Sequence, residues 1–141
     1  MTRSLLEVFS GVEGLNLSIT TKSPLILKDL DLLAELDRRH AIEVHISITT
    51  LDRELARKLD PAAPDPEARL RAVERLAEAG IAVTVNCMPV MPGINDSEYE
   101  LEPLFEAAAA AGAVDVHQQA LSLKPASRAK FFPWLKAEFP H

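Results

Sequence analysis

The sequence predicts an α/β protein with parallel strands: a partial (βα) TIM-like barrel. Three observations lead there. Short runs rich in β-branched residues alternate with amphipathic helical stretches. The connections between the runs read as helical crossovers, which join parallel strands. Each run also carries a polar lane beside an apolar one, whereas a parallel sheet covered on both faces is almost continuously apolar. Consecutive polar lanes suit the inside of a curved or incomplete barrel that holds a polar ligand. An open doubly wound sheet, or an amphipathic sheet with one solvated face, is the competing reading.

The elements follow in order. Leu15–Thr20 reads as a strand, with Asn16, Ser18, Thr20 and Lys22 opposite Leu15, Leu17 and Ile19. Leu27–Arg39 reads as a helix, with Leu30, Leu33 and Leu36, or Leu32 and Leu36, on one face. In the strand Glu43–Thr49, residues Glu43, His45, Ser47 and Thr49 oppose Val44, Ile46 and Ile48. Leu51–Lys58 suits a short helix. Asp60–Pro66 holds three prolines in seven residues and must be a loop. Asp65 then reads as an N-cap and Pro66 as the first helical residue. That helix runs to Ala79, with Leu70, Val73 and Leu76 or Ala77 inward and Gly80 as its stop. Ile81–Cys87 is a third strand, with Thr84, Asn86 and Met88 on its polar side. Met88–Asp96 is a loop. A helix follows to Ala111 and ends at Gly112, with Pro103 marking a kink or a late start. Val114–Leu123 suits a fourth strand. The tail Ala126–Pro140 reads as a short helix interrupted near Pro133.

Composition bounds the function. Lys and Arg number 15 against 21 Asp and Glu, a net charge of −6. That argues against a freestanding nucleic-acid binder, though not against a local basic patch. With 48% hydrophobic and 26% charged residues, the chain reads as one globular domain over 1–141 with a helical tail at 124–141. No apolar run reaches the ~18 residues that span a bilayer, so no membrane is expected. Met1–Val12 lacks a secretory apolar core, and a cytoplasmic protein is expected. Cys87 is the only cysteine, which excludes an internal disulfide, a multi-cysteine zinc site and a self-ligated iron–sulfur cluster.

Several groups could carry chemistry. Lys22 in Thr21-Lys22-Ser23-Pro24 closes the first strand, where barrels and doubly wound sheets bind ligands. It is either a point charge for a carboxylate or phosphate, or a surface lysine before a loop. Ser47, Thr49 and Thr50 offer hydroxyls at the end of the second strand, although strand propensity alone explains them. Asn86 and the stiff loop Pro89-Val90-Met91-Pro92-Gly93-Ile94-Asn95-Asp96 end the third. Their backbone could grip a planar base, or the loop is an ordinary connection capped by Asn95, Asp96 or Ser97. His40, His45, His117 and His141 lack the spacing of a metal site, and satisfied or solvated histidines explain them better. Cys87 falls on the apolar face, where packing is its best reading. Lys124, Arg128, Lys130 and Lys136 mix with Phe131, Phe132 and Trp134 in the tail. They could touch nucleic acid, or form one face of a covering helix.

Taken together, these stretches resemble a known family. TKSPLILKDLDLLAEL, VHISITTLDRELARKLDPAAPDPEARLRAVERLAEAGIAV and MPVMPGIND resemble the radical S-adenosylmethionine (SAM) superfamily, in its spore photoproduct lyase-like (DNA repair photolyase homologue) branch. The resemblance runs from about Leu5 to Pro140 and is specific from Thr21 to Asp96. It implies an incomplete (βα)6 barrel, part of a radical SAM core, with S-adenosylmethionine lying across the strand ends. Lys22 would meet the cofactor's carboxylate, Ser47 its amino-acid moiety, and the backbone around Pro89–Pro92, with Val90, the adenine or ribose. Asn86 joins this cofactor-binding set from its place on the polar lane.

The chain departs from the family in one respect. Members carry C-x-x-x-C-x-x-C after their first strand, whose thiolates bind a [4Fe–4S] cluster that reductively cleaves S-adenosylmethionine. This chain has no such motif, and Cys87 does not substitute for it. By the resemblance, the segment with the cluster loop and roughly two βα units of ~30 residues or more each is absent. The expectation is a chain without radical activity on its own, because radical chemistry belongs to the cofactor. A non-catalytic SAM- or nucleotide-binding domain is the alternative, as is a remnant or subunit of a split enzyme with a cysteine-rich partner chain. Nucleic acid is a candidate partner of a full-length protein.

Overall fold

A computed structural model describes residues 2–140. The elements run α1 (Thr2–Phe9), β1 (Asn16–Thr21), α2 (Leu30–Asp37), β2 (Ala41–Ser47), α3 (Arg53–Leu59), α4 (Pro66–Glu78), β3 (Ala82–Val90), α5 (Glu98–Ala110), β4 (Asp115–Ala120) and α6 (Pro125–Glu138). The four strands form one parallel sheet in the order β1-β2-β3-β4.

That order decides between the two architectures. A doubly wound sheet reverses its strand order and carries helices on both faces. Here every strand pairs with its neighbour in sequence, and the crossover helices α2, α4 and α5 share one face. Leu33 and Leu36 of α2, Val73 and Leu76 of α4, and Leu104 and Ala108 of α5 form one core with Val44, Ile46, Val83 and Val85. Right-handed crossovers wound in one direction generate a barrel wall. The fold is therefore α/β with the topology of a partial (βα) barrel.

The polar lanes fall where alternation places them. Register aligns Ser47 with Asn86 and Asn86 with His117, and one pleat deeper His45 with Thr84 and Thr84 with Asp115. Thr84 and Asn86 are buried on this lane, so the face is not uniformly solvated.

Several boundaries differ from expectation, each for a local reason. The expected helix from Leu27 to Arg39 divides into a 3₁₀ turn over Pro24–Asp29, opened by Ser23 capping the Leu25 amide, and the shorter α2. α3 begins later than expected, because Asp52 caps the amides of Glu54 and Leu55. Asp65 occupies the N-cap position of α4 without a side-chain hydrogen bond. α5 starts at Glu98, before Pro103, so the proline sits inside the helix and marks no late start. α6 likewise continues through Pro133 without interruption. α1 was not expected at all; it docks through Leu6, while Leu5 and Val8 face solvent. Gly112 ends the turn after α5 at φ 87°, and a Cβ there would lie 2.8 Å from that of Ala77. Only glycine fits on both counts.

Candidate functional site

At the carboxyl ends of the strands lies a cleft of about 640 Å³, lined among others by Lys22, Thr49, Asp60, Met88, Pro89 and Trp134. This is the size and place at which barrels bind small ligands. Its floor is built by the sheet. Lys22 lies one residue beyond the last β1–β2 pair, Thr21↔Ile46, and so continues the row Ser47↔Asn86. With strands about 4.8 Å apart, Lys22 and Asn86 stand roughly 10 Å from one another.

Lys22 is held by Asp60, with Nζ donating to Oδ2 at 2.6 Å. The lysine holds the Asp60 carboxyl below the usual carboxylate range, and Arg69 adds to this from behind. The ammonium has three donors, so a ligand carboxylate can join without displacing Asp60.

Arg69 of α4 fixes this wall. Its guanidinium is buried, donating from Nη1 to the Ser47 carbonyl at 2.8 Å and from Nε to the Pro64 carbonyl at 2.9 Å. It thus ties the end of β2 to the proline-rich loop that carries Asp60. Burial draws its pKa below the ordinary arginine value.

Asn95 fixes the opposite wall. It is buried, accepts from the Met91 amide at 2.7 Å, and donates to the carbonyls of Thr49 at 3.1 Å and Pro89 at 3.3 Å. One side chain therefore pins the β3 loop to the chain beyond β2. Of the three cap candidates, Ser97 takes the N-cap position of α5, Asp96 accepts from the Gly93 amide, and Asn95 is this clamp.

Of the expected cofactor residues, Lys22 and Pro89 line the cleft, while Ser47 and Asn86 lie one pleat deeper than Thr49 and Met88. Val90 packs its side chain against the core, and its carbonyl accepts from the Leu121 amide at 2.8 Å. Asn86 Oδ1 is buried without a hydrogen-bond partner. Such a group is costly unless something donates to it.

The histidines separate by role. His40 is structural: its Nδ1 accepts from the Leu15 amide at 3.2 Å, which leaves Nε2 to donate to the Phe9 carbonyl at 3.2 Å. His45 and His117 face each other across the polar lane with ring centroids 5.8 Å apart. His141 lies outside the described residues. No cluster of metal-ligating side chains occurs among the described residues. Cys87 is fully buried, and burial pushes its thiol pKa up. A protonated thiol in an apolar core is the opposite of a metal-ligating thiolate. No helix among the described residues is long and apolar enough to cross a membrane.

Comparison with known proteins gives the family. The family model described as the radical SAM superfamily matches residues 2–101. An uncharacterized protein of Mycobacterium tuberculosis, Rv2578c, is 36% identical over 130 residues, covering 92% of this chain and 38% of that protein. An uncharacterized protein of Methanocaldococcus jannaschii, MJ0683, is 33% identical over 99 residues, covering 70% of this chain and 36% of its own length. An Acidianus two-tailed virus protein, ORF301, is 38% identical over 79 residues, covering 56% of this chain and 26% of that protein. The chain thus spans well under half the length of these curated relatives. Among solved structures, a tryptophan synthase chain from M. tuberculosis aligns over 95% of this chain and 55% of its own, at 17% identity and a TM-score of 0.45.

Proposed function

The chain belongs to the radical SAM superfamily, and on that premise we propose that it carries the S-adenosylmethionine-binding portion of a [4Fe–4S]-dependent enzyme, at the carboxyl ends of β1 to β3. The observation that carries this reading is the row Lys22, Ser47 and Asn86, with the cleft above it. Lys22 would hold the carboxylate, and Ser47 would orient the amino-acid moiety. The backbone of Pro89 and Val90 would border the adenosine. Asn86 would complete the row from beneath the cleft, where its Oδ1 is buried and unpaired. S-adenosylmethionine brings an activated sulfonium to this place; the protein's share is to position it.

The residues present do not fit the cluster. Three thiolates are needed and the sequence has one cysteine, buried and protonated. Cluster ligands would therefore come from outside these 141 residues, from a longer chain or from a cysteine-rich partner, and this chain alone would bind the cofactor without cleaving it. The spore photoproduct lyase-like branch, with a lyase reaction on nucleic acid by a longer protein, is the finer reading that the Thr21–Asp96 block supports. The lone buried thiol favours a second reading, a non-catalytic SAM-binding domain or a remnant or subunit of a split enzyme.

Isothermal titration of S-adenosylmethionine tests the site. The wild-type chain is expected to bind it, and Lys22→Ala to weaken it by about tenfold, one charge-assisted contact. Decarboxylated S-adenosylmethionine should bind both proteins alike. Equal S-adenosylmethionine affinities for wild type and Lys22→Ala would refute the assignment.

A further inference from the structure

We propose that the α6 wall of the cleft is a second binding surface, for a small planar heteroaromatic anion. Ser127, Lys130, Phe131 and Trp134 recur at helical spacing and all line the cleft. The helix buries none of its residues, so this face is not closed over by the rest of the fold. Phe131 and Trp134 pack with centroids 5.4 Å apart, and Phe139 stands 5.7 Å from Trp134, edge to face. The three rings are half-buried, which preorganises Trp134 while leaving the wall open to a ligand.

Charge selects the ligand. Three lysines line the cleft. Lys22 is engaged by Asp60 at 2.6 Å, and Lys58 by Glu138 at 3.7 Å and by the Phe139 ring at 5.3 Å. Among the described residues, Lys130 alone of the three has no salt-bridge partner. Trp134 follows it by four residues, one helical turn along the same wall, with Phe131 alongside. A free ammonium next to a π-surface takes a flat ring carrying a phosphate or carboxylate: the ring stacks, and the anion meets Lys130. This surface faces the same cleft as Lys22 and Pro89, from the α6 side, and rests on the residues of α6 rather than on the cofactor reading.

Trp134 is the only tryptophan, so its fluorescence reports this wall alone. UMP supplies ring and anion together, uridine the ring only, and inorganic phosphate the anion only. UMP is expected to quench Trp134 saturably, and uridine and phosphate each to bind at least about tenfold more weakly. Lys130→Ala should bring UMP down to the level of uridine and leave uridine unchanged. Lys124→Ala, a lysine outside the cleft, should bind UMP as wild type does. The proposal is overturned by the absence of quenching at millimolar UMP. It is equally overturned by equal binding of UMP and uridine, or by Lys124→Ala matching Lys130→Ala. The Lys130→Arg protein, which keeps the charge, should retain UMP binding; its failure to do so would also overturn the proposal.

Discussion

Asn95→Ala is expected to lower the free energy of unfolding by about 2–4 kcal/mol and to release the loop between β3 and α5. The side chain satisfies three backbone groups at once: the Met91 amide and the carbonyls of Thr49 and Pro89. Alanine leaves them unpaired in a place where Asn95 itself is only 1% exposed. Each buried orphan costs far more than a mean hydrogen bond contributes. Asn95→Asp separates the two halves of the clamp. It keeps the acceptor for Met91 but turns the donor toward Thr49 and Pro89 into a second acceptor, so it should destabilise at least as much as alanine. Urea denaturation of both variants measures this, and a midpoint unchanged from wild type would show that the clamp contributes nothing.

Arg69→Ala is expected to cost about 3 kcal/mol, with a loss of ligand binding beyond what the fold requires. The guanidinium answers the carbonyls of Ser47 and Pro64, and its stem packs within α4's buried face. Removing it frees the loop that carries Asp60, and with it the partner that aims Lys22. Arg69→Lys tests the geometry rather than the charge. A single ammonium cannot span both carbonyls as the planar fork does, so lysine should recover only part of the loss. Full recovery by lysine in urea denaturation would mean that charge alone matters here.

How much of this was legible in the sequence follows from the physics of each part. The strands were legible because one face is covered: Val44, Ile46, Val83 and Val85 must alternate with Ser47, Thr84 and Asn86. Their ends shifted by a few residues because hydrogen bonds outside the pattern set them, as when Arg69 rather than a strand partner takes the Ser47 carbonyl. The row Lys22, Ser47, Asn86 was legible for the same reason, since residues of one parity share a face. The clamps were less so. Arg69 sits in the buried stripe with Pro66, Val73 and Leu76, a charged residue at an apolar position, and that mismatch was its signal. Asn95 looked like one of three interchangeable caps, and only the path of the chain beyond β2 shows what it reaches. α1 is only eight residues long, about two turns, so the helical spacing of Leu5, Leu6 and Phe9 was too short a run to announce it. Pro133 suggested a break, yet α6 lies on the surface and runs through it.

The most direct test of the cofactor site is to map S-adenosylmethionine onto the chain by amide chemical-shift perturbation. The account expects saturable shifts that move together at Lys22, Ser47, Asn86 and Val90, with Asn16 and Glu43 at the opposite end of the sheet unmoved. Saturable shifts centred on that opposite end, or none at all at millimolar cofactor, would contradict it.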